Sequence, residues 1–84
     1  AELVVFPQLL VNVRVKARRP MAELPRVNEA IRRAEAELDG SGRVLVRFSG
    51  TELLARVMVE GPEQGQVERL AHGIAGVLKD ELGG

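Results

Sequence analysis

Apolar and polar positions along this chain alternate between two periods, and each change of period marks an element. From Leu9 to Lys16 every second residue is apolar: Val11, Val13 and Val15 fall on one side, Asn12, Arg14 and Lys16 on the other. That is the signature of a half-buried strand. Phe6-Pro7-Gln8 separates it from the short apolar stretch Ala1–Val5, because the residue before a proline is pushed out of the helical region. From about Ala22 to Leu38 the spacing becomes three and four, with Leu24, Val27, Ile31, Ala34 and Leu38 in one stripe, which predicts a helix with one buried face. Pro25 falls in its first turn, where a missing N–H costs little, and Glu29 stands four residues before Arg33 as a supporting pair. Asp39-Gly40-Ser41-Gly42 stops it, with glycine available for a left-handed cap.

Period two returns between Arg43 and Gly61. Val44 and Val46 alternate with Arg43, Leu45 and Arg47; after a short polar connection, Ala55, Val57 and Val59 alternate with Arg56, Met58 and Glu60. Two strands joined by Ser49-Gly50-Thr51-Glu52 read as a hairpin. Gly61-Pro62 then opens a second helix, with proline near the first helical position and Glu63 in the first turn. Its stripe is Val67, Leu70, Ala71, Ile74, Val77 and Leu78, with Leu82 a turn further on. Gly65, Gly73 and Gly76 each cost about 1 kcal/mol relative to alanine inside a helix, so docking rather than propensity must hold it.

Three valine-faced strands and two single-stripe helices are satisfied together if both helices pack on one face of a mainly antiparallel sheet. The expected class is therefore α+β, two layers, in the order strand-helix-strand-strand-helix. The opposite sheet face would carry Asn12, Arg14, Arg43, Leu45, Arg47, Arg56 and Met58.

Composition narrows the function. A chain of 84 residues, 45% apolar and 29% charged, suits one small globular domain. It has no apolar run near the roughly 20 residues of a spanning helix and no secretory leader, so the expectation is a cytoplasmic protein with no membrane partner. It opens at Ala1 rather than methionine, which reads as a piece of a longer protein. Cysteine is absent and His72 stands alone, so thiolate sites and histidine clusters are excluded; His72 reads as a surface residue. Twelve basic residues against twelve acidic ones argue against a nucleic-acid partner bound through bulk charge. The local run Arg14, Lys16, Arg18, Arg19 reads as a solvated edge.

Candidate chemistry concentrates at the hairpin. Ser49 and Thr51 surround Gly50, whose missing Cβ would let backbone N–H groups turn toward an oxyanion, while Arg47 and Arg56 flank the loop with planar donors suited to phosphate. The pattern alone is equally that of an ordinary hairpin turn with solvated strand-end arginines. No candidate nucleophile or metal-ligand set is seen: Ser41 has no adjacent base, and the acids are dispersed along helices.

The run Arg47-Phe48-Ser49-Gly50-Thr51-Glu52, continuing into Arg56-Val57-Met58-Val59-Glu60-Gly61, closely resembles the phosphate-binding signature of the C-terminal domain of the α-D-phosphohexomutases, and within that superfamily it is most similar to the phosphoglucosamine mutases. Phe6-Pro7-Gln8 leading to Val11-Asn12-Val13-Arg14-Val15 resembles the opening of the same domain. One departure is plain, since the signature usually has proline after the glutamate and this chain has Leu53. The resemblance implies a fold likened to that of the TATA-binding protein. It implies residues 1–84 as the fourth, C-terminal domain, with 1–8 the end of a linking segment. The implied enzyme interconverts glucosamine 6-phosphate and glucosamine 1-phosphate through a sugar bisphosphate, for cell-wall precursor synthesis. A phosphoserine and a magnesium ion in other domains do the transfer, so this chain alone is not expected to be catalytic and holds no cofactor. Arg47, Ser49, Gly50, Thr51 and Arg56 are the implied substrate-phosphate ligands, and the partners are the phosphosugar, the bisphosphate and the enzyme's other domains. Two alternatives are a small RNA-binding module, weakened because only Phe6 and Phe48 could stack a base, and a scaffold or interaction domain. Gly83-Gly84 resembles the tail of ubiquitin-like modifiers, but those folds open with a hairpin before their helix, and the order here does not.

Overall fold

The structure, a computed structural model, describes residues 6–83. The stretch Ala1–Val5 and the last residue of the Gly83-Gly84 tail lie outside the described residues. Three strands, β1 (Gln8–Arg14), β2 (Arg43–Phe48) and β3 (Leu54–Glu60), and two helices, α1 (Pro25–Leu38) and α2 (Gln64–Leu78), follow in the expected order β1-α1-β2-β3-α2. The sheet order is β1-β3-β2, and both pairings are antiparallel. With β3 central, its inward residues Ala55, Val57 and Val59 are wholly buried. Alternate residues on the edge strands, Val13 and Val44 among them, extend that face, and Val67, Leu70, Ile74 and Leu78 of α2 and Val27, Ala34 and Leu38 of α1 cover it. The expected α+β, two-layer class is the observed one.

Local chemistry moves several boundaries. The first helix begins at Pro25 rather than near Ala22. Leu24, as the residue before proline, is held at φ −122° and ψ 67°, outside the helical region, so Met21–Glu23 forms a separate 3₁₀ turn. Asn28 steadies that turn by donating to the Met21 carbonyl at 2.7 Å. Ile31 of the expected stripe is only half-buried. At the other end Asp39 itself takes the left-handed cap, φ 49°, and Gly40 follows at φ 77°. Gly42 is needed for a different reason: a Cβ there would lie 2.0 Å from the Glu60 carbonyl oxygen. The second helix starts at Gln64, so Pro62 and Glu63 precede it, and Glu63 is the N-cap with no side-chain capping bond. The helix ends at Leu78 and passes into a π-type turn, Lys79–Gly83, which buries Leu82. His72 is exposed, as expected.

Hydrogen bonds and ion pairs tie the helices and the C-terminal turn together. Arg69 of α2 donates both terminal nitrogens to the Glu37 carboxylate of α1, and that carboxylate raises the Arg69 pKa above the ordinary guanidinium value. Arg26 reaches Asp80 and Glu81, and the Lys16 amide donates to the Leu82 carbonyl at 2.7 Å. The C-terminal turn thus supports the chain just after β1.

Candidate phosphate-binding site

Strand register builds this site. On the outer sheet face Arg47 of β2 lies directly opposite Arg56 of β3, and Asn12 of β1 lies opposite Arg56 on its other side. The three form one row across all three strands. Arg14 follows opposite Leu54, two residues nearer the loop on the same face. Neither Arg47 nor Arg56 has a carboxylate partner among the described residues, whereas Arg43, at the far end of β2, pairs with the opposed Glu60 at 3.4 Å. Like charges directly opposed on neighbouring strands repel. The row therefore presents adjacent, uncompensated guanidinium groups at the end of the sheet that carries the loop.

The connection runs from Ser49 to Leu53, one residue longer than the sequence suggests, because β3 begins at Leu54. Its base is closed by the Ser49 amide donating to the Leu54 carbonyl at 2.8 Å. Within it the amides of Thr51 and Glu52 both donate to the Ser49 hydroxyl oxygen, each at 3.3 Å. That oxygen accepts twice, so its own proton is free to donate outward. The converging amides are thus those of Thr51 and Glu52, and both are taken up by Ser49 Oγ, which leaves the hydroxyl proton as the group that meets an oxyanion. Gly50 does not adopt a left-handed φ, and a Cβ added there would meet nothing within 4 Å. The loop's conformation does not require that glycine, and the space above it is open to a ligand.

Sequence reasoning missed Arg18. Its guanidinium donates to the Ser49 carbonyl at 2.8 Å across 31 residues of chain. The Val15 amide donates to the Leu53 carbonyl at 3.1 Å, so the segment after β1 holds both shoulders of the loop. The spacing of the basic run carries no such signal. It becomes visible only when β1 is placed beside β3: Arg18 is exposed, as a solvated edge requires, and also reaches the loop.

Phe48, which the RNA alternative would use for stacking, points inward and packs against the core, while Phe6 is half-buried. No helix among the described residues is long and apolar enough to cross a membrane.

Residues 10–77 match the family described as phosphoglucomutase/phosphomannomutase, C-terminal domain. The phosphoglucosamine mutase of Solibacter usitatus is 57% identical over 83 residues, covering 99% of this chain but 19% of that protein. Among solved structures, Aspergillus fumigatus N-acetylphosphoglucosamine mutase in complex with GlcNAc-6P and magnesium superposes with a TM-score of 0.70 at 27% identity, over 89% of this chain and 16% of that one. A variant of the Aspergillus enzyme in complex with glucose 1,6-bisphosphate gives 0.71 at 27% identity, over 90% and 16%. The chain therefore spans less than a fifth of the length of these proteins. By a match across most of its residues, the chain belongs to the C-terminal domain family of the phosphoglucomutases and phosphomannomutases.

Proposed function

We propose that this chain is the substrate-phosphate clamp of a phosphoglucosamine mutase: the C-terminal domain of a longer cytoplasmic enzyme that interconverts glucosamine 6-phosphate and glucosamine 1-phosphate through a sugar bisphosphate; Gln8, expected to end a linking segment, already belongs to β1. The observation that carries the reading is the register of Arg47 opposite Arg56, unpaired, beside a loop whose amides already converge on one oxygen. An anion placed there joins two repelling cations and receives planar charge-assisted bonds from them, with Ser49, Thr51 and the open space over Gly50 completing the cradle. Holding the phosphate that does not react lets remote binding orient the other end of the sugar.

Guanidinium groups and hydroxyl donors suit an oxyanion and not a metal cation, and no group of three or more His, Cys, Asp or Glu occurs among the described residues. In this reading the magnesium and the phosphoserine belong to other domains. Leu10, Met58 and Leu45 support the presence of such domains: they stand in register as an exposed or half-buried apolar row beside the arginine row, a surface suited to packing against the rest of an enzyme.

Titrating the ¹⁵N-labelled chain with inorganic phosphate tests the reading. A few charge-assisted bonds without the rest of the cleft should give millimolar affinity, about 4 kcal/mol, with amide shifts confined to residues 47–56. Ser49→Ala should weaken it. Thr51 and Glu52 amides unmoved at tens of millimolar phosphate would overturn the clamp.

A further inference from the structure

On the β1 side of the loop the outer face sinks into a concavity lined by Asn12, Arg14, Val15, Glu52, Leu53 and Leu54. It is continuous with the clamp, since Asn12 lies opposite Arg56, Arg14 opposite Leu54, and the Glu52 amide donates to the Ser49 hydroxyl. Its make-up differs from that of the clamp. An amide, a guanidinium and a carboxylate stand around an apolar floor, the mixture that holds a polyhydroxylated ring by its edges and one face.

Glu52 is the member that needs an explanation. A carboxylate in a loop that gathers anions works against them. It could be neutralised by Arg14, which lines the same concavity, yet the ion pairs among the described residues leave both groups out. A free negative charge beside a phosphate clamp favours one kind of ligand, an anion that carries its own cation close by. We infer that Glu52 recognises the protonated amino group of an amino-sugar phosphate, with the ring over the Leu53–Leu54 floor and the phosphate in the clamp; the inference rests on the clamp reading. In an amino-sugar 1-phosphate the two charged groups sit on adjacent carbons, so the loop can engage both at once. A neutral sugar offers Glu52 only a hydroxyl and leaves its repulsion of the phosphate uncompensated.

The test is a titration of the chain and of Glu52→Gln, at a pH of about 6.5 where the amine is charged, with inorganic phosphate, glucose 1-phosphate and glucosamine 1-phosphate. The unmodified chain should prefer glucosamine 1-phosphate to glucose 1-phosphate by about two- to fivefold, the range of an exposed ion pair. Glu52→Gln should bind the two sugars equally and inorganic phosphate more tightly than the unmodified chain does. Phosphate binding with no preference for the amino sugar, or a preference that survives in Glu52→Gln, overturns the role of Glu52 and leaves the clamp standing. No binding of inorganic phosphate overturns both.

Discussion

Replacing Leu53 by proline, the residue the phosphohexomutase signature usually has after the glutamate, should stabilise the loop. The Leu54 amide donates to the Glu52 carbonyl at 2.9 Å, a bond that spans two residues and makes Leu53 the centre of a γ-turn. Asp39 is the only non-glycine among the described residues with positive φ, so this turn is the inverse form, whose central φ lies near −75°. Proline fixes φ near −65°, and the Leu53 N–H that it would remove makes no backbone hydrogen bond in the loop. Fixing a compatible backbone is worth roughly 0.4 to 1 kcal/mol through the unfolded state. The side chain complicates a direct comparison: Leu53 is 48% exposed, and truncating its buried half costs about 1 kcal/mol. Leu53→Ala is therefore the reference. Leu53→Pro should melt about 2 to 8 °C above Leu53→Ala in a domain of this size, and should bind phosphate at least as well because the loop is ordered in advance. A Leu53→Pro melting point at or below that of Leu53→Ala would refute the turn geometry on which the argument rests.

Arg47→Gln relieves the like-charge pair with Arg56 and should raise stability by about 0.2 to 1 kcal/mol in urea unfolding while abolishing phosphate-induced amide shifts. Gly50→Ala should leave the melting point unchanged or higher, because the added methyl meets nothing, yet should weaken phosphate binding measured by calorimetry. Arg18→Ala should change stability by less than about 0.5 kcal/mol, since the residue is exposed, while perturbing the Ser49–Glu52 amides and lowering phosphate affinity; Arg18→Lys should restore part of that affinity.

What could be read from the sequence divides along the range of the forces involved. Period two in Val11–Val15 and Ala55–Val59, and the three-four spacing of Val67–Leu78, are local patterns, and each became an element close to its expected bounds. Where a boundary departs from the hydrophobic period, the local chain chemistry sets it. Leu24 precedes a proline and could not be helical, and Glu63 precedes the helix it was expected to enter. The juxtaposition of Arg47 with Arg56 was half legible: both flank the loop in sequence, but their direct opposition depends on a connection of five residues, and a connection of four would have set the strands in another register. Arg18 was not legible at all. Its partner is 31 residues away, and nothing in a basic run says which strand it will lie beside.

Strand order is what turns these separate features into a site. Because β3 lies between β1 and β2, the β2–β3 loop emerges at the end of the sheet where β1 also finishes, so the chain leaving β1 passes alongside it. Had β1 paired instead with β2, the outward row would no longer run Asn12, Arg56, Arg47. The order is held by the inward side of β3, where Val57 and Val59 are wholly buried beneath the helices. Polar groups on the outer face therefore owe their alignment to apolar contacts on the inner one. Loosening the core beneath β3 should accordingly disturb the loop amides before the chain unfolds, even though no core residue touches a ligand.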